Sequence, residues 1–132
     1  MSSAMEWNYS FRIDEADQAA FRTLSGDINA LHSDSDFARQ LGFDGPVVFG
    51  AIIVAKISGF LGSVFPGKGC IWSKLAIDFR APLYVGQEAM LKVEQSYGNE
   101  DLCIWDLMIR VVVDREVIAE GSVRVLRRAE KA

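Results

Sequence analysis

The sequence predicts an α+β fold in which an antiparallel sheet wraps round one long apolar helix. Two observations predict it. The stretch 47–64 is nearly all apolar, with glycines spaced along it. The segments before and after it alternate apolar and polar residues, which is strand periodicity. An antiparallel sheet has one apolar face that must be covered, and the apolar stretch can cover it.

The elements follow in order. Residues 7–13 alternate Trp7, Tyr9, Phe11 and Ile13 with polar neighbours and read as a strand. Asp14 then caps a helix over 15–24, with Asp17 in its first turn. That helix is expected to present Ala19, Ala20, Phe21 and Leu24 as its inner face. Ser25-Gly26-Asp27-Ile28-Asn29 is turn chemistry and ends it. A short helix over 34–41 follows, capped by Ser33 or Asp34 and stopped by Gly42. Phe43-Asp44-Gly45-Pro46 connects it to the apolar helix over 47–64, which stops before Pro66-Gly67-Lys68-Gly69. Strands are expected over 74–80, 88–97, 102–113 and 116–128, with turns at 98–101 and 114–116. The last strand puts Val117, Ala119, Gly121, Val123 and Val125 on one face.

A sheet wrapped round one central helix is the hot-dog architecture. The helix is apolar nearly all round, as a helix embraced by a sheet should be. One such layer leaves an open sheet edge, so pairing with a second copy is expected.

The totals set bounds. At 132 residues, 1–132 reads as one domain, able to bury a core without staples. A net charge of −4 argues against general affinity for nucleic acid, which needs a basic face. Cys70 and Cys103 stand apart in apolar stretches and read as buried thiols of a reducing compartment. One histidine is too few for a conventional zinc site. The N-terminus lacks the pattern of a secretory signal. The apolar stretch carries Lys56 and three glycines, so it reads as a core helix rather than a membrane span. A cytoplasmic protein is expected.

His32 is the only histidine, and histidine titrates nearest neutral pH. Asp27 lies upstream across a turn, where both side chains can face one pocket. An Asp and a His sharing one water suit the addition of water to an activated double bond. One group takes a proton from water while the other supplies one to the carbon beside the carbonyl. The charge that collects on the carbonyl oxygen needs a donor, and a helix N-terminus has free N–H groups. Gly50, at the start of the apolar helix, has no side chain to block that oxygen. The same residues also suit a plain turn (Asp27), a satisfied core histidine (His32) and close packing (Gly50).

The segment Phe21-Arg22-Thr23-Leu24-Ser25-Gly26-Asp27-Ile28-Asn29-Ala30-Leu31-His32 closely resembles the hydratase motif of the MaoC-like, R-specific enoyl-CoA hydratases. The likeness continues through residues 43–50, 66–69 and 77–86. The resemblance implies a hot-dog dimer with active sites near the subunit interface. It implies syn hydration of a trans-2-enoyl thioester to the (R)-3-hydroxyacyl thioester, or the reverse. It makes Asp27 and His32 the catalytic pair, Gly50 the donor to the thioester oxygen, and Asn29 a support of the turn. No metal or redox cofactor is implied, since coenzyme A is part of the substrate.

By analogy, Ser58, Phe60 and Leu61 line an acyl tunnel or pack in the core. Lys68 and Arg80 meet the phosphates of coenzyme A or a carrier's phosphopantetheine, or stand in solvent. Two departures matter. Ala30 stands where the family usually has proline, which should loosen the turn. Phe49 stands where it often has histidine, and reads as a core side chain or a substrate contact. A dehydratase of carrier-bound 3-hydroxyacyl groups, with Arg124, Arg127 and Arg128 toward the carrier, has the same chemistry reversed. A thioesterase and a non-catalytic acyl-thioester binder also remain open on this fold.

Overall fold

The computed structural model describes residues 5–131. The first four residues, part of the stretch without a secretory signal pattern, lie outside the described residues. Five strands form one antiparallel sheet: β1 (Glu6–Arg12), β2 (Cys70–Phe79), β3 (Glu88–Asn99), β4 (Ile104–Val113) and β5 (Glu116–Arg127). They lie in the order β1-β3-β4-β5-β2, so β1 and β2 are the edges. Three helices precede β2: α1 (Glu15–Ser25), α2 (Ser35–Gln40) and α3 (Gly50–Ser63).

Local chemistry sets the boundaries. The Asp14 carboxylate accepts from the N–H of Asp17, and the Asp17 carboxylate accepts from the N–H of Asp14, a complete capping box. Gly26, at φ +76°, takes the left-handed conformation that ends α1 and aims the chain toward Asp27. Asp34, not Ser33, caps α2 by accepting from the N–H groups of Asp36 and Phe37. Asp114 and Arg115, both at positive φ, make the tight hairpin between β4 and β5.

The core is α3 on the sheet. Ile52, Ile53, Ile57, Phe60 and Leu61 bury against Leu91 and Val93 of β3, Leu107, Ile109 and Val111 of β4, and Val123 and Val125 of β5. Each such side chain, fully buried, contributes about 1.5–3 kcal/mol. Trp7 stacks on Phe65, and Phe65 meets Trp105 edge-on, closing the end of the core under the α3 C-terminus.

Several expectations change. α3 begins at Gly50, because residues 47–49 are held by other bonds: Val47 bridges to Tyr84, Val48 N–H donates to Leu83 O, and Phe49 N–H donates to the side chain of Gln18. The sheet covers one side of α3 only, and the opposite side, with Ala51, Ala55, Ser58, Gly59 and Gly62, is exposed. On α1 the inner face is not the Ala–Leu stripe. Leu24 is 85% exposed, Ala19 and Ala20 are exposed, and Gln18 is buried beside half-buried Phe21. Hydrogen bonds from Gln18, rather than apolar area, seat this helix. β2 starts earlier than its alternation suggests, since an irregularity between Trp72 and Lys74 interrupts the pairing and hides the period.

Candidate active site

The turn after α1 is a chain of local bonds. Asp27 N–H donates to Ser25 Oγ at 3.1 Å, and Asp27 Oδ1 accepts from Asn29 N–H at 3.0 Å. Asn29 Oδ1 accepts from Leu31 N–H at 3.1 Å, capping one 3₁₀ turn, Ala30–His32, that presents His32. Asn29 sits at φ −58°, ψ 122°, the extended region that a following proline would enforce. Here the side-chain cap supplies what the proline ring would, so Ala30 leaves the turn bonded.

His32 is half-buried and held on two sides. Its Nδ1 lies 2.6 Å from Val47 O. A carbonyl oxygen only accepts, so Nδ1 carries the hydrogen and donates, which leaves the Nε2 lone pair free in the neutral ring. Phe49 stacks on the imidazole with centroids 3.9 Å apart and planes 25° from parallel. Phe49 is itself buried and packs against Phe21. The residue in the histidine position is therefore a ring support for His32.

Gly50 opens α3, and no side chain caps that helix start. Its first N–H groups and the positive end of the helix dipole are available to an oxygen. A methyl group on Gly50 would come within 3.2 Å of the Phe79 ring, so the aromatic edge lies directly over the glycine. His32 and Gly50 line one cavity of about 400 Å³, with Phe43, Val47, Phe79 and Leu83 as apolar walls. A second cavity of about 400 Å³ also borders His32 and is more polar, with Gln18, Arg22, Asn29 and Ser33 in its lining.

The structure thus brings His32, Gly50 and Phe49 together, with Asn29 at the border of the polar cavity. Asp27 is exposed and borders neither cavity. Arg80 lines the apolar cavity and pairs with Glu120 at 2.5 Å. Ser58 lies on the exposed side of α3, Phe60 and Leu61 in the core. Lys68, in the loop before β2, pairs with Glu130 at 2.8 Å, both side chains mostly exposed. Among the described residues, no group of three or more His, Cys, Asp or Glu is arranged to hold a metal ion.

The sequence reading missed Gln18. Its side chain, on a residue only 7% exposed, spends the whole amide on backbone groups around the site. The available signal was its place three residues before Phe21, on the same face of a capped helix.

Residues 3–118 match the family model for the MaoC like domain. An (R)-specific enoyl-CoA hydratase of Aeromonas caviae is 37% identical over 118 residues, which span 89% of this chain and 88% of that protein. A 3-hydroxybutyryl-CoA dehydratase of Methylorubrum extorquens is 32% identical over 113 residues, spanning 86% of this chain and 72% of that protein. The solved structure of the (R)-hydratase from A. caviae involved in PHA biosynthesis superposes with a TM-score of 0.89 at 32% identity, covering 97% of this chain and 98% of that one.

Proposed function

The chain belongs to the MaoC-like domain family, and we propose that it is an (R)-specific enoyl-CoA hydratase, a hydro-lyase that adds water to a trans-2-enoyl thioester or removes it from the 3-hydroxyacyl product. The observation that carries this reading is the shared cavity: the one imidazole and the uncapped start of α3 face the same apolar space. The likeness to named hydratases and dehydratases over most of the chain supports the same chemistry.

The steps follow from the groups present. His32 Nε2 accepts one hydrogen of a water molecule, and the Asp27 carboxylate, which in the single chain stands outside the cavity, orients the other once its turn closes over that cavity. The water oxygen bonds to C3 as electrons shift to the thioester oxygen, where Gly50 N–H meets the charge. The proton held by the pair then goes to C2 on the same face. Water's OH and H are both in the product, and the pair is restored. No metal or redox group takes part in this scheme, and coenzyme A arrives as part of the substrate.

The active form is a homodimer. β2 is an unpaired edge carrying Ile71, Leu75 and Phe79 exposed, Phe79 by 50%. Beside it, α3 turns its small-residue side outward. Pairing β2 with β2 of a second copy would extend the sheet and cover this apolar surface. Unpaired Cys70 and Cys103 suit the reducing cytoplasm. Among the described residues no helix is long and apolar enough to cross a membrane.

The test is to mix the protein with crotonyl-CoA and follow the enoyl thioester absorbance. Loss of absorbance giving the (R)-3-hydroxy product without free thiol is expected. Release of free thiol would make the protein a thioesterase instead. Inertness toward both short and longer enoyl-CoA chains would overturn the coenzyme A hydratase reading.

A further inference from the structure

We propose that Gln18 is a positioning residue for His32, holding the imidazole in the one tautomer that leaves Nε2 free and tying it to the start of α3. The inference rests on His32 acting through Nε2, as set out above.

Three bonds carry it. Gln18 Nε2 donates to His32 O at 3.0 Å and to Val47 O at 3.1 Å. Gln18 Oε1 accepts from Phe49 N–H at 3.1 Å. The orientation of the amide follows from its partners: two carbonyl oxygens require the NH₂ end, and one N–H requires the oxygen. No flipped amide would satisfy the set.

The consequence for His32 lies in Val47 O. That oxygen accepts from both Gln18 Nε2 and His32 Nδ1. Gln18 therefore fixes the carbonyl that selects the tautomer. Its second donation fixes the backbone of His32 itself, and its oxygen fixes Phe49, whose ring stacks on the imidazole. Phe49 directly precedes Gly50. One side chain on α1 thus sets the distance between the acid–base group and the helix start that faces the same cavity. Gln18 is buried, so water cannot take over its bonds freely once it is removed.

Only one histidine is present, so the ring can be read without assignment. The protein is labelled with ¹⁵N-histidine, and the two ring nitrogens are observed by NMR in the unliganded wild type and in Gln18→Met, which keeps the length of the side chain without its hydrogen bonds. At a pH where the ring is neutral, the wild type is expected to hold the proton on Nδ1 with Nε2 bare. Gln18→Met, with a native circular dichroism spectrum, is expected to move toward the other tautomer or a mixture. Its kcat for crotonyl-CoA should fall about tenfold or more while KM stays within about threefold. Wild-type protein with Nε2 protonated would overturn the proposal whatever the variant does. A folded Gln18→Met with the wild-type ring signature would also overturn it. If Gln18→Met does not fold, Gln18→Leu answers the same question. The ring signature needs no turnover, so a protein inactive on crotonyl-CoA would fail the hydratase reading while the tautomer result still decided the role of Gln18.

Discussion

The two halves of the proposed catalytic pair are held very differently. His32 is half-buried, bonded through Nδ1 to Val47, stacked on Phe49, and flanked by two cavities. Asp27 stands in solvent between Leu24 and Ile28, themselves 85% and 81% exposed, and its bonds reach no further than Ser25 and Asn29. One group is preorganised by the core, and the other sits on a self-contained turn with apolar neighbours that nothing covers in the single chain. The contrast teaches that the tertiary fold builds the imidazole side of the site, whereas the carboxylate side depends on its turn and on what closes over it.

The largest effects should come from the pair itself. His32→Ala and Asp27→Asn should each lower kcat by about two or more orders of magnitude in the crotonyl-CoA assay. They should part in thermal melts. Asp27→Asn keeps the oxygen that accepts from Asn29 N–H and should melt with the wild type, whereas His32→Ala removes a stacked, bonded ring and should melt lower. An Asp27→Asn variant as active as the wild type would break the comparison, leaving His32 alone.

Gly50→Ala should come next. The added methyl meets the Phe79 ring at 3.2 Å and crowds the helix start proposed to hold the thioester oxygen, so kcat/KM should fall by about tenfold or more. Adding Phe79→Leu should recover packing, seen as a higher melting temperature, but not the rate. Recovery of the rate would mean that the ring, and not the helix start, is what matters there.

Asn29→Ala removes the cap of the 3₁₀ turn and should cost about 1 kcal/mol, measured by chemical denaturation. Its effect on kcat should exceed its effect on stability if the turn places Asp27 as well as His32.

The smallest effect belongs to the outer pair Asp106–Arg124, bonded at 2.8 Å and 3.2 Å. The Arg124 guanidinium beside Asp106 holds its carboxyl below the usual carboxylate range. The unfolded chain therefore takes up this proton at higher pH than the folded one, so the stabilisation is present above the ordinary aspartate pKa and is lost as pH falls through the lowered value. Asp106→Asn should lower the melting temperature slightly near neutral pH, with the gap to wild type closing in acid.

Much of the frame was legible because it rests on local rules. The Asp14–Asp17 capping box, the stop at Gly42 and the alternation of β5 from Ala119 to Val125 each follow from neighbours in the chain, whereas a bulge at Ile118, which is buried, puts Val117 on the opposite face from the one its alternation suggests. The hydratase-like segment was legible as a motif, and Phe49 stood out as a departure from it. What escaped depends on distant partners. The burial of Gln18 is decided by His32, Val47 and Phe49, none of which is near it in sequence. The start of α3 is decided by Leu83 and Tyr84, which hold residues 47 and 48 out of the helix. The exposed side of α3 escaped because its alanines and glycines count as apolar in a pattern yet carry little surface to bury.

The most direct test of the central claim is the stereochemistry of hydration. Crotonyl-CoA is converted in D₂O, and the 3-hydroxybutyryl product is analysed for the configuration at C3 and the placement of deuterium at C2. The account predicts the (R)-alcohol with deuterium and hydroxyl added to the same face of the double bond. The (S)-alcohol, or addition to opposite faces, would contradict it.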